Sequence, residues 1–90
     1  MTTSHTLTLF SIVLARLEPY TKRTKPDCIL QINYEYSSAY GAAVRISASK
    51  WRNATILDHK FFSYNFNSAS MPSINDFIDD VIEATKPFYN

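Results

Sequence analysis

Residues 28–37 read Cys-Ile-Leu-Gln-Ile-Asn-Tyr-Glu-Tyr-Ser. Apolar and polar side chains alternate with a period of two, the pattern of a β-strand with one buried face. Cys28, Leu30, Ile32, Tyr34 and Tyr36 fall on one side, and Gln31, Asn33, Glu35 and Ser37 on the other. This strand decides the fold class, because the segments on either side can be phased against it.

Downstream, Ser38-Ala39-Tyr40-Gly41 makes a short connection. Residues 41–49 then alternate again, with Ala42, Val44, Ile46 and Ala48 set against Ala43, Arg45, Ser47 and Ser49. So short a link implies an antiparallel hairpin. Ser49-Lys50-Trp51-Arg52-Asn53 reads as the next turn, and residues 54–67 as a third strand. The second half of that strand is regular, with Phe62, Tyr64 and Phe66 opposed to Ser63, Asn65 and Asn67. The first half is out of phase: Ile56 fits the even face, Asp58 and Lys60 do not, and Leu57 and Phe61 are odd. A bulge near residues 58–61 is expected, since one extra residue inverts every side chain after it.

A helix is predicted on each side of the strands. In residues 4–18, Leu7, Phe10, Leu14 and Leu17 recur at helical spacing with Val13 beside them. Thr6-Leu7-Thr8-Leu9 alone would also suit a strand, but the Leu-Ala-Arg-Leu-Glu ending consists of strong helix formers. Pro19 is expected to end this helix, because the residue before a proline is driven out of the helical region. Residues 20–27 form a loop, and residues 68–72 a polar connection. Ser73-Ile74-Asn75-Asp76 has the form of a capping box, with Asp in place of Glu. The helix it opens runs to about residue 85 and stops before Pro87. Ile74, Phe77, Ile78 and Val81 are its apolar stripe, with Ile82 and Thr85 at the margin. The predicted architecture is a single α+β domain of order α-β-β-β-α. Its three-stranded antiparallel sheet carries both helices on one face.

Composition limits what such a domain can do. Ninety residues leave room for one domain, and 46% hydrophobic residues supply a core. A domain this small buries little surface, so a homo-oligomer is a reasonable expectation. The net charge of +1 neither concentrates nucleic acid nor binds anionic membranes by itself. One cysteine makes no internal disulfide and fits a reducing, cytoplasmic setting. The first twenty residues lack the cationic start and small-x-small site of a leader. No run is long enough to span a bilayer, so no membrane association is expected. Asn, Ile, Lys, Phe, Tyr and Ser are frequent beside a single glycine, which suggests an AT-rich source such as a phage or mobile element.

Four groups of residues are candidate sites. The first is the outer sheet face, polar and weakly charged, with Gln31, Asn33, Arg45, Ser47, Ser63, Asn65 and Asn67. It reads as the solvated back of a half-buried sheet, or as a contact face for a partner or a second copy. An exposed third-strand edge would also invite strand addition. The second group is Lys22, Arg23 and Lys25 in the loop with Lys50, Trp51 and Arg52 in the presumed turn. Were loop and turn to share an end of the sheet, these could contact phosphates while Trp51 stacks on a base. Alternatively, Trp51 covers the open end of the core. The third group is the acidic helix face, Asp76, Asp79, Asp80 and Glu83. Asp76 suits the helix dipole. The other three read as a solvated face, or as carboxylates engaging a basic groove on a partner protein. The fourth group, His5, Cys28 and His59, shows no metal spacing and no nucleophile–base arrangement. No cofactor or metal is expected, and no enzyme activity.

The α-β-β-β-α order is shared with the double-stranded RNA-binding domain, a likeness of topology. That family opens its second helix with lysines facing phosphate. Here the same place is Ser73-Ile74-Asn75-Asp76, which is acidic. The expected function is therefore a non-catalytic protein-interaction module. Its most concrete form is a small phage or mobile-element protein that inhibits a host nuclease or defence complex. The alternative is a nucleic-acid-binding module using the basic and aromatic residues of the second group.

Overall fold

The computed structural model describes residues 3–39, 41–67 and 73–89, the side chains of 3–5 excepted. Tyr40 and the connection 68–72 lie outside the described residues. The elements are α1 (Thr3–Thr21), β1 (Cys28–Ser37), β2 (Gly41–Arg52), β3 (Thr55–Asn65), α2 (Ile74–Ala84) and a closing 3₁₀ turn, Lys86–Phe88. The sheet is antiparallel in the order β1-β2-β3, with β2 central. Both helices pack against one face of it, as the alternation predicts.

The even-numbered residues of β2 make the floor of the core. Ala42, Val44, Ile46 and Ala48 are all buried, and Leu30 and Tyr64 continue the layer on the flanking strands. Over β1, α1 sets Phe10 against Tyr34 (ring centroids 5.2 Å apart). Over β3, α2 sets Phe77 against Tyr64 (4.9 Å). Phe77, Ile78 and Val81 are buried, which is the stripe the spacing predicts. Ser73 starts α2 by accepting the Asp76 N–H at 3.2 Å, satisfying a donor that the helix itself cannot.

Several expectations are corrected. Pro19 does not end α1; it lies inside the helix, which runs on to Thr21. The extra turn is held by Thr21 Oγ1 and Lys22 N–H, which both donate to the Glu18 carbonyl (2.7 and 3.3 Å). A proline this close to a C-terminus forfeits one ladder bond and leaves the following donors intact. The buried stripe of α1 is also rotated. Thr6, Val13 and Leu17 are buried, with Leu9, Phe10 and Tyr20 beside them, while Leu7 and Leu14 are exposed. Residues 7–14 are apolar almost all round, so the pattern left the phase open. Tyr36 keeps its place on the inner face, opposite Ala42, but is 69% exposed.

The largest group of changes concerns the second hairpin. Ser49, Lys50, Trp51 and Arg52 belong to β2, and the turn is only Asn53-Ala54. Both turn residues have positive φ, 49° and 65°, the type I′ pattern that suits the strand twist. The bulge is also displaced. Lys50 pairs with Asp58 and Trp51 with Ile56, which leaves Leu57 as the extra residue, not one of residues 58–61. The inner face of β3 therefore includes Asp58 and Lys60. Lys60 is accommodated because its Nζ donates to the Ala84 carbonyl at 3.0 Å, satisfying an end carbonyl of α2. Lastly, Phe88 lies in the core, past the point where the apolar pattern was expected to stop.

Ala54 holds a left-handed conformation that disfavours any Cβ. Ala54→Gly is expected to raise stability by about 0.5–1 kcal/mol and the thermal midpoint by roughly 4 °C. A calorimetric scan checks this. An unchanged or lowered midpoint would mean that the turn carries no conformational strain.

Candidate interaction face

The bulge controls what the sheet shows to solvent. In an antiparallel ladder, directly opposed residues share a face. Trp51 is odd-numbered in β2 and so points away from the helices, opposite Ile56 of β3. One pair further along the outer face, Ser49 stands between Ile29 of β1 and His59 of β3. Next, Ser47 stands between Gln31 and Phe61. Ile29, Trp51, Ile56, Leu57 and Phe61 are all exposed, Phe61 by 53%. Ile29, Trp51, Ile56 and Phe61 make one apolar and aromatic area at the β2–β3 turn end of the outer face, with Leu57 exposed at the bulge. Its rings are held in place. Trp51 Nε1 donates to Ser49 Oγ at 2.8 Å, and His59 lies 6.5 Å from Phe61 between centroids. The Arg45 guanidinium sits over the Phe61 ring at 5.9 Å.

The other end of the same face is polar, as the alternation predicts. Arg45 forms an ion pair with Glu35 without the alignment of a hydrogen bond. An open depression of about 210 Å³ lies here, lined by Glu35, Ser37, Gly41, Arg45, Ser63 and Asn65 among others. The expected outer face of Ser, Asn and Gln thus covers half the sheet. Ile29, Trp51, Ile56 and Phe61 are the residues it missed. Ile29 lies on the odd face inside the apolar run Cys28-Ile29-Leu30, and Phe61 could be assigned a face only once the bulge was placed.

The presumed basic patch is divided. Its loop and the end of β2 do share one end of the sheet, since the Trp51 N–H donates to the Asp27 carbonyl at 2.7 Å. Strand alternation nevertheless sends Lys50 and Arg52 to the helix side and Trp51 to the outer side. In the loop, Lys22 pairs with Glu18 at 3.2 Å and Arg23 lies over the Tyr20 ring at 5.5 Å. Lys25 contributes its backbone N–H to the Phe88 carbonyl at 2.9 Å.

The acidic face of α2 is partly structural. Asp79 accepts from Arg16 of α1 at 2.6 Å, linking the two helices, and Glu83 pairs with Lys86 at 2.7 Å. Asp76 stands in the first turn, where the helix dipole favours it, and Asp80 is exposed. Burial, and then the hydrogen bond to the Asp27 carboxylate, raise the Cys28 thiol above its ordinary value. Cys28 therefore stays protonated near neutrality and is a poor nucleophile. Among the described residues, no three His, Cys, Asp or Glu side chains gather as a metal-binding group. Nor is any described helix long and apolar enough to cross a membrane.

Comparison with protein-family models, curated proteins and solved structures finds no match for this chain.

Proposed function

We propose that this chain is a non-catalytic protein-binding module that works through the outer face of its sheet. The observation that carries the reading is the exposed area of Trp51, Ile56 and Phe61, with Ile29 beside it, on the side opposite the core. Contiguous apolar surface with a polar border is what protein partners desolvate, and tryptophan is enriched among the residues that dominate such contacts. The acidic face of α2 is the weaker candidate, because Asp79 and Glu83 already have partners within the chain. In its most concrete form the module is a cytoplasmic phage or mobile-element protein that occludes a host nuclease or defence complex. Small size and AT-biased composition support that form.

Nucleic acid is the second reading, favoured by one observation: Trp51 and Phe61 present rings on an open sheet, where bases can stack. Salt separates the two readings, since phosphate contacts weaken steeply as salt rises and a packed apolar interface does not. The primary test is a photo-crosslinking side chain at position 61, with one at position 80 for comparison, in extracts of cells making the protein. Protein adducts from 61 and none from 80 are expected. Adducts from 80 alone would move the site to α2, and none from either position would end the reading.

A further inference from the structure

Three surfaces could meet a partner: the acidic side of α2, the basic loop after α1, and the outer sheet face. They differ in what they can accept. On the α2 side Asp79 and Glu83 are paired within the chain, but Asp76 and Asp80 leave it net negative, so two copies brought together there would repel. Arg23 and Lys25 would do the same in the loop, where Lys22 is already paired with Glu18. On the outer sheet face the fixed charges are Glu35 and Arg45, which pair with each other. That face is therefore net neutral, and a copy set against it meets no net repulsion. The same neutrality disfavours a polyanion, because the one cation on the face is already compensated.

We infer that the occupant of this face is a second copy of the chain, packed sheet against sheet. The inference rests on the protein-binding reading above and commits it to self-association. Two antiparallel sheets stack at about 10 Å with their strands nearly aligned, interleaving the side chains of the facing surfaces. The result has four layers, with helices outside and an apolar seam inside made by Trp51, Ile56 and Phe61 of each copy. The area is adequate but small. Strands of 10, 12 and 11 residues define the face. At about 3.3 Å per residue and about 4.8 Å between strands, it measures roughly 500 Å². A pair of copies covers roughly 1,000 Å², at the threshold for a specific contact and in the range of transient ones. The dimer is accordingly a weak, transient one.

Sedimentation of the purified full chain, from about 1 to about 300 μM, tests this. Four proteins are compared: the natural chain, Phe61→Glu, Ser47→Arg and Asp80→Lys. The two face variants change exposed or half-exposed positions, and circular dichroism confirms that each is folded. The natural chain is expected to pass from one to two copies as concentration rises. Phe61→Glu and Ser47→Arg should each weaken that step roughly 30-fold or more, and Asp80→Lys should leave it unchanged. Ser47 stands opposite Phe61 in the ladder, so it reports independently should Phe61→Glu disturb Arg45. A single copy at every concentration would overturn the inference, while crosslinking at position 61 would still judge the protein-binding reading. A dimer insensitive to both face variants, or one broken by Asp80→Lys, would also overturn it.

Discussion

Phe88→Ala is expected to lower the stability of the domain by about 3–4 kcal/mol. Phe88 is 1% exposed and belongs to the same buried cluster as Leu17, Val44 and Val81. It reaches that cluster because the 3₁₀ turn Lys86–Phe88 folds the chain back after α2. The tail is held from several sides. The Phe88 carbonyl accepts the Lys25 N–H at 2.9 Å, and the Tyr89 hydroxyl donates to the Ile82 carbonyl. Tyr20 and Tyr89 pack with their rings tilted by 49° and their centroids 4.9 Å apart. With these bonds in place the backbone cannot easily collapse into the space left by the ring, so most of the cavity cost should be felt. A domain of this size has on the order of 5–13 kcal/mol in total, so the variant should melt at least about 12 °C lower. Urea unfolding measures the loss. A loss below about 1 kcal/mol would show that the tail is an appendage and not a wall of the core.

The second large effect separates two leucines on one helix. Leu17→Ala is expected to cost about 3 kcal/mol and Leu14→Ala less than about 1 kcal/mol. Leu17 is 1% exposed and Leu14 is 37% exposed. Alanine is the better helix former, so any propensity term favours both variants equally and cancels from the comparison. Denaturant midpoints of the pair settle the rotation of α1 about its own axis. Equal losses would restore the stripe read from spacing alone, with Leu7 and Leu14 facing the sheet.

These two experiments sit where sequence reading was incomplete. The α2 stripe was legible because its apolar residues are few and polar ones flank them; only one rotation buries Phe77, Ile78 and Val81 together. For α1 the same rule failed, since Leu7, Leu9, Phe10, Ile12, Val13 and Leu14 offer apolar surface in nearly every direction. Phe10 meets Tyr34 in either rotation, and the difference is that Val13 fills the core while Leu7 and Leu14 stay exposed. Phe88 was overlooked because Pro87 looks like a stop. The residue after a helix can still enter the core if the chain turns back, and no local pattern announces that.

The site was less legible than the fold. The irregular phase of residues 55–61 did signal a bulge, and one exists. Its location at Leu57 decided which side Phe61 and Ile56 would take, and it rests on the length of the turn. A two-residue turn at Asn53-Ala54, without the glycine that commonly marks it, pushed Lys50, Trp51 and Arg52 into the strand. Once there, alternation separated Trp51 from the two cations beside it.

The sequence by itself determined the element order, the antiparallel sheet, the inner faces of β1 and β2, and the start and stripe of α2. All of these follow from local periodicity and from chemistry within a few residues, where sterics and hydrogen bonding act. Only the tertiary structure decided the rotation of α1, the burial of Phe88, the pairing of Lys60 with the end of α2 and the composition of the outer sheet face. Each of those depends on which residue lies across a ladder or across the core. A one-residue shift in register changes that neighbour completely while leaving the local pattern almost as it was.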